Sequence, residues 1–282
     1  MNAHSQTPGF NETRSPRTLL TGLAIGESPR WHDGRLWLAN WGAQQILAVD
    51  SQGRSEVAVH VPTTLPFSFD WLPDGRMLIV SGPEGLLLRR EPDGSLVLHA
   101  DLNTIVPGFW NEIVVDSRGN AYVNGGALVR VAPDGSMHKL AEGLAFPNGM
   151  ALTPDESTLL VAESHGHCLT AFDLAGPQAS PRVWAHLGDA APDGICLDAE
   201  GSVWYADVPH KQCVRIREGG EVLETIAVDR GCFACMLGGP ACATLYIVAA
   251  QWLGFPRLAE ALAARTGQLL AVDVTIPGAG RP

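Results

Sequence analysis

The sequence lacks an excess of positive charge. Lys and Arg together number 19 against 30 Asp and Glu, which gives a formal net charge of −11. No cluster of basic side chains is available to neutralise the phosphates of DNA or RNA. We therefore expect no nucleic-acid partner for this protein.

Long apolar runs are also missing. No stretch reaches the ~18 consecutive apolar residues that a membrane-spanning helix requires. Residues 1–16 are polar and contain no apolar segment followed by a cleavage site, so they do not resemble a secretion signal. We therefore expect a cytoplasmic protein without a membrane partner, and a disordered N-terminal tail over residues 1–16.

The cysteines lack the spacing of a zinc site. Cys232 and Cys235 form a C-x-x-C motif, but no second pair and no histidines follow at ligand spacing. In the expected cytoplasmic environment all six thiols are reduced. The motif is therefore predicted to be part of the core.

Glycine and proline, by contrast, are abundant. The chain has 31 glycines and 20 prolines, which indicates many short strands joined by tight turns. A turn followed by an apolar strand recurs six times, over residues 32–40, 73–81, 117–125, 154–164, 199–207 and 240–250. The aligned turns are 41, 44, 37, 45 and 42 residues apart. Six copies at this period predict an all-β fold, a six-bladed β-propeller.

The last copy of the repeat is shorter than the others. It stops after its third strand, whereas residues 17–20 (Arg-Thr-Leu-Leu) precede the first copy and belong to none. These residues are predicted to supply the missing strand, which would close the ring and hide its edges. Residues 17–282 are therefore predicted to form a single propeller domain.

Polar side chains recur at one place in the repeat. Counting six or seven residues back from each aligned turn, to the start of the innermost strand, leads to Glu27, Phe67, Asn111, Asn148, Asp193 and Cys235. Four of the six offer oxygen atoms, which suit Ca²⁺, Mg²⁺ or Mn²⁺, and a cation would relieve the repulsion between two buried carboxylates. The alternative is that they are ordinary turn residues. We predict one divalent metal ion with Glu27, Asn111, Asn148 and Asp193 as ligands.

These motifs resemble the senescence marker protein/gluconolactonase/luciferin-regenerating enzyme (regucalcin-like) family from Arg17 onward. The matching segments are Gly26-Glu27-Ser28-Pro29, Asn111 with the acidic residue after it, Phe146-Pro147-Asn148-Gly149 and Pro192-Asp193-Gly194. The resemblance implies a six-bladed propeller whose metal is held by Glu27, Asn148 and Asp193, with Asn111 on the metal or the substrate. It also implies lactone hydrolysis with Asp193 as the base. Calcium is the first candidate ion, before Mg, Mn and Zn.

The segment around Asn111 departs from the family pattern. Sugar lactonases of the family often carry an arginine two positions before this Asn, where the chain has Phe109, followed by Trp110. Glu112 stands where Asp is usual. An aromatic pair in place of a guanidinium offers apolar contact instead of five hydrogen-bond donors. We therefore predict a lactone less polar than an aldonolactone.

The loops between the second and third strands of each blade are predicted to surround the metal. The predicted substrate contacts are Asn111, Trp41, Phe67, Phe109, Trp110, His165 and Trp252. His165, His167 and His210 also fit the simpler reading of solvated loop histidines. The longest loop, 251–267, predicts a short helix opened by Pro256, acting as a lid or as a subunit contact.

The predicted mechanism uses the ion as a Lewis acid on the lactone carbonyl, with Asp193 accepting a proton from the attacking water. The alternatives are a phosphotriesterase using the same metal site and a non-catalytic, metal-binding regulatory propeller. The expected partner is a small-molecule lactone, and the protein is expected to be a monomer or a small homo-oligomer.

Overall fold

The computed structural model describes residues 15–175 and 180–280, which form six four-stranded antiparallel sheets. The sheets are the blades of a six-bladed β-propeller, as the repeat predicted. The first strand is β1 (Arg17–Leu23). Blade one follows with β2 (Gly26–His32), β3 (Arg35–Asn40), β4 (Gln45–Val49) and β5 (Ser55–His60). Of the predicted tail, residues 1–14 lie outside the described residues.

Blades two to five each use four consecutive strands. Blade two has β6 (Phe67–Trp71), β7 (Met77–Ser81), β8 (Leu86–Arg90) and β9 (Leu96–Asp101). Blade three has β10 (Trp110–Val115), β11 (Ala121–Gly125), β12 (Leu128–Val131) and β13 (Met137–Ala141). Blade four has β14 (Pro147–Leu152), β15 (Thr158–Glu163), β16 (Cys168–Asp173) and β17 (Ser180–His186). Blade five has β18 (Pro192–Leu197), β19 (Val203–Asp207), β20 (Gln212–Ile216) and β21 (Val222–Ala227).

The sixth blade joins the two ends of the described chain. Its three inner strands are β22 (Gly231–Gly238), β23 (Thr244–Ala250) and β24 (Gly267–Asp273). The fourth is β1, which pairs antiparallel with β24 and places Arg17 opposite Ala271 and Leu23 opposite Gly267. The prediction that the N-terminal strand closes the ring is confirmed. Closure matters because β1 covers the outer edge of β24, whose backbone groups would otherwise lack strand partners on that side.

The core lies between neighbouring blades. The innermost strands β2, β6, β10, β14, β18 and β22 contact one another around the axis. β22 is buried along its whole length, whereas the outermost strands β5, β17 and β21 are largely exposed. Cys232 and Cys235 are buried in an apolar cluster that also contains Cys196 and Cys213. The prediction that the C-x-x-C motif belongs to the core is therefore confirmed.

Helical structure is confined to the connections. Short 3-10 helices cover Trp41–Ala43, Leu102–Thr104 and Phe255–Arg257, and α1 covers Leu258–Ala264. The helix in the sixth-blade loop was predicted after Pro256, and its buried Ala261 packs beside Leu258 and Leu262. Within the described part of the chain, no helix is long and apolar enough to cross a membrane.

Candidate functional site

The innermost strands of five blades are irregular near their first residues, and in four of them the irregularity lies beside a polar residue of the site. The pairing register shifts between Glu27 and Arg30, Trp110 and Ile113, Pro147 and Met150, and Pro192 and Ile195. A β-bulge bends a strand locally and re-aims its side chains. Four polar side chains are thereby brought to the floor of one cavity of about 460 Å³ on the axis: Glu27, Asn111, Asn148 and Asp193.

Hydrogen bonds orient the two amides on this floor. Asn111 Nδ2 donates to Asn148 Oδ1 at 3.1 Å, and Asn148 Nδ2 donates to Ser164 Oγ at 3.4 Å. The Ser164 hydroxyl in turn donates to the carbonyl of Pro192, beside Asp193. Ser164 was not predicted as a site residue, because its role depends on the neighbouring blade.

The two carboxyl groups on the floor are buried and repel each other. Burial raises the pKa of Glu27 well above its ordinary value, and the charges of Asp193 and Glu112 raise it further. Burial also raises the pKa of Asp193, with a further contribution from the charge of Glu112. Asp193 Oδ1 is buried and has no hydrogen-bond partner among the described residues. Such a pair is costly unless a positive charge compensates it.

The donor set fits a hard divalent cation. Two carboxylates and two carboxamides offer oxygen ligands, and the buried Asp193 oxygen without a hydrogen-bond partner fits contact with a cation. Within residues 15–175 and 180–280, no group of three or more His, Cys, Asp or Glu side chains is arranged to hold a metal ion. The candidate ligand set therefore depends on the amide oxygens of Asn111 and Asn148.

The walls of the cavity are apolar and largely aromatic. Phe233 and Trp252 meet edge to face at 5.6 Å between ring centroids, and Trp252 meets Phe255 at 5.2 Å. Phe255 contacts Phe146 at 6.1 Å, and Phe146 stacks on His165 at 4.6 Å. The ring series therefore runs from the sixth blade to the fourth. The remaining wall includes Trp41, Phe109 and Leu258.

The structure places four of the predicted substrate contacts in these walls, namely Trp41, Phe109, His165 and Trp252. The prediction was wrong for Trp110 and Phe67, which are fully buried in the core between blades and do not line the cavity. Successive side chains of a strand point to opposite sides, so Phe109 and Trp110 do not act as a pair. β6 has no register shift, so Phe67 packs into the core.

Three aromatic wall residues were missed by the sequence analysis: Phe146, Phe233 and Phe255. Phe233 lies at the register shift of β22, and Cys235 lies behind it with its thiol near the carbonyl of Gly194. β22 has eight residues, more than any other innermost strand, so counting back from its turn stops two residues early. Phe146 was visible in the motif before Asn148 but carried no predicted role.

The other two histidines of the mouth loops do not line the cavity. His167 Nδ1 lies 2.7 Å from the carbonyl of Ala190, and His210 Nδ1 lies 2.7 Å from Asp207 Oδ2. The partner of His167 lies in the connection before β18, and the partner of His210 lies at the end of β19. The geometry indicates a structural role for them.

Comparisons with known proteins agree with this fold. The family model described as the SMP-30/Gluconolactonase/LRE-like region matches residues 25–251. Regucalcin of Xenopus laevis is 26% identical over 251 residues, covering 80% of this chain and 83% of that protein. The 6-deoxy-6-sulfogluconolactonase of Pseudomonas putida is 29% identical over 167 residues, and the match spans only 56% of either chain. A crystal structure of regucalcin from Agrobacterium tumefaciens, described as a calcium-binding protein, has a TM-score of 0.79 at 22% identity, covering 95% of this chain and 97% of that chain.

Proposed function

Since the chain belongs to the SMP-30/gluconolactonase/LRE-like family, we propose that it is a metal-dependent lactonase for a lactone less polar than an aldonolactone. The observation that carries the proposal is the cavity, where two buried carboxylates and two amides form the floor and aromatic rings form the walls. The relative named 6-deoxy-6-sulfogluconolactonase supports lactone hydrolysis. The regucalcin structure described as calcium-binding supports Ca²⁺ as the first candidate ion, before Mg²⁺, Mn²⁺ and Zn²⁺.

Glu27, Asn148 and Asp193 would hold the ion, and Asn111 would complete its coordination or orient the substrate. A divalent ion bound there supplies Lewis-acid polarisation of the lactone carbonyl. The hydrogen bond from Asn111 to Asn148 fixes the rotamer of both amides, so their oxygens are oriented before the substrate arrives.

Asp193 is the residue best placed to accept the proton from the attacking water. Asp193 lines the cavity, and its buried Oδ1 atom has no hydrogen-bond partner among the described residues. As water adds to the carbonyl carbon, this carboxylate takes one of its protons. The ring C–O bond then breaks, and the departing oxygen receives that proton to give an open-chain hydroxy acid.

The apolar walls support a substrate with few hydroxyl groups. Phe109 is 54% exposed at the mouth, where a guanidinium would bind hydroxyls, and it offers no donor. The sixth-blade loop adds Trp252, Phe255 and Leu258 to the wall, which supports a role for this loop in binding the substrate. Burying an apolar substituent against these rings is worth ~25 cal/mol per Å² of area removed from water.

The test is a pH-indicator hydrolysis assay with protein stripped by EDTA and then supplied with single metal ions. We expect turnover only with added metal, and faster turnover of aryl or alkyl lactones than of glucono-lactone. Asp193→Asn should abolish turnover, whereas Asp189→Asn, which alters an almost fully exposed carboxylate in the connection just before β18, should not. A preference for glucono-lactone would refute the polarity argument, and a wild-type rate in Asp193→Asn would remove this residue from the mechanism.

A further inference from the structure

A buried ion pair lies directly behind the candidate ligands. Arg30 Nη2 contacts Glu112 Oε1 at 2.9 Å, and the two side chains are only 6% and 8% exposed. Arg30 lies on β2, three residues after Glu27, and Glu112 follows Asn111 on β10. Neither residue is among those assigned above to the metal or the substrate. A buried ion pair of this kind is expensive to form, so its place beside the metal centre calls for a reason.

Glu112 cannot itself serve as a free ligand, because both of its oxygens are engaged. Oε1 accepts from Arg30 Nη2 and from the backbone N–H of Ile113 at 2.8 Å, and Oε2 accepts from Ser28 Oγ at 2.9 Å. Glu112 also does not line the cavity. Its carboxylate therefore acts on the site through neighbouring residues.

One of these neighbours is Ser28, which connects Glu112 to Glu27. The backbone N–H of Ser28 donates to Glu27 Oε2 at 3.1 Å, while its hydroxyl donates to Glu112. Ser28 has φ = +47°, a left-handed conformation that is uncommon for a residue with a side chain. The hydroxyl bond to Glu112 stabilises this conformation and thereby holds the Glu27 carboxylate in place.

A second connection runs from Glu112 to the other side of the site. The backbone N–H of Glu112 donates to Asn124 Oδ1 at 3.1 Å, and Asn124 Nδ2 donates to the backbone carbonyl of Asn148 at 2.6 Å. Asn124 is completely buried. Glu112 is thus located between the strands that carry Glu27 and Asn148.

The net charge of the buried groups around the site matches that of a divalent cation. Glu27 and Asp193 bring two negative charges to the cavity when ionised. The charge of Glu112 is offset by Arg30, which also acts on the buried Asp70 carboxyl. The remaining two negative charges equal the charge of one divalent cation. Inside a protein, where charges are weakly screened, such a balance affects ion affinity strongly.

We infer that Glu112 is a positioning residue for Glu27, acting through Ser28, and that the Arg30–Glu112 pair sets the charge of the site for a divalent cation. The inference rests on the proposed metal-dependent function. Glu112→Gln keeps the shape of the side chain but leaves the Arg30 charge uncompensated beside the ion. The double variant Glu112→Gln/Arg30→Met restores the net charge of the site.

The test is calorimetric titration of the EDTA-treated full chain with Ca²⁺. We expect Glu112→Gln to weaken Ca²⁺ binding about tenfold or more, and the double variant to recover most of that loss. Ser28→Ala, which removes only the hydroxyl, should weaken Ca²⁺ binding severalfold. This variant tests the same connection if Glu112→Gln does not fold. The matched control is Asp198→Asn, which breaks an equally buried pair with Arg215 (2.6 Å) and should leave Ca²⁺ affinity unchanged.

The outcomes separate this inference from the proposed function. Wild-type affinity in both Glu112→Gln and Ser28→Ala overturns the inference, while metal-dependent turnover of the wild type still supports the lactonase. Equal weakening in Asp198→Asn also overturns it, because the effect would then be a general loss of stability. If the double variant binds Ca²⁺ no more tightly than Glu112→Gln alone, the inferred role of charge balance is wrong. If the wild-type protein binds no divalent ion, the inference and the metal-dependent function both fall.

Discussion

Gly149 offers a sharp test of how the propeller holds its candidate ligands together. It follows Asn148 on β14 and faces the neighbouring innermost strand β18. A Cβ added at Gly149 would lie 2.5 Å from the carbonyl oxygen of Asp193 and 2.6 Å from the backbone nitrogen of Ile195. Both are backbone atoms, so no side-chain rotation can relieve the contact.

Gly149→Ala must therefore push the two strands apart. Ordinary contact begins at 3.4 Å, so the approach to the Asp193 carbonyl is about 1 Å too close. Overpacking of this kind costs about 1–3 kcal/mol, or roughly 2–12 °C in Tm. Oxygen ligands of Ca²⁺ lie within a range of only about 0.3 Å, so a shift of this size between Asn148 and Asp193 disrupts shared coordination.

We expect Gly149→Ala to weaken Ca²⁺ binding at least tenfold and to lower kcat/KM by about 100-fold, since a misplacement of 1 Å has that scale of effect. Calorimetry and the hydrolysis assay measure the two quantities, and thermal unfolding measures the stability. Gly108→Ala is the control, because its nearest neighbour would be the Cα of Gly126 at 3.8 Å. Unchanged Tm, affinity and turnover in Gly149→Ala would show that the close approach of β14 and β18 is not required.

Two further predictions concern the aromatic wall and the core. Phe255 is 63% exposed, so Phe255→Ala should raise KM for an aryl lactone severalfold with little change in Tm. The control Leu98→Ala, at a similarly exposed site on β9, should change neither quantity. Equal KM values in the two variants would contradict the role of the aromatic wall in substrate binding. Burial raises the pKa of Tyr122 and Tyr205 to about 12, with a further contribution from the charge of Asp116 beside Tyr122 and of Asp207 beside Tyr205. The folded protein should therefore show no phenolate absorbance at 295 nm from these two residues near pH 10. The unfolded chain ionises first, so their contribution to stability is complete below pH 10 and is lost between pH 10 and about 12; titration near pH 10 in the folded state would contradict this.

Much of the fold could be predicted because its signals are local. Each hairpin turn and each apolar strand is encoded within about ten residues, and the turns repeat at nearly constant spacing. The ring closure could be predicted because the last copy lacks a strand and the segment at Arg17 belongs to no copy. The same periodicity placed Glu27, Asn111, Asn148 and Asp193 at one level of the axis.

Tertiary structure decided which way side chains point near the cavity. Phe67 occupies the same repeat position as Asn111, yet the regular pairing of β6 buries it, while the register shift in β22 exposes Phe233 to the cavity. Trp110 is turned into the core beside Phe109, which faces the mouth. A slip of one residue in pairing reverses the facing of a strand, and such shifts are not encoded in the spacing of turns.

The sequence by itself determined the propeller, its closure and the four polar residues of the axis, because repeat period and turn chemistry act over short stretches of chain. Only the tertiary structure decided that Arg30, Glu112 and Ser28 form one network, since their contacts join residues 82 and 84 positions apart. The contact of Phe255 with Phe146 likewise joins blades six and four. Contacts of this kind depend on where distant strands meet around the ring, which no local pattern specifies.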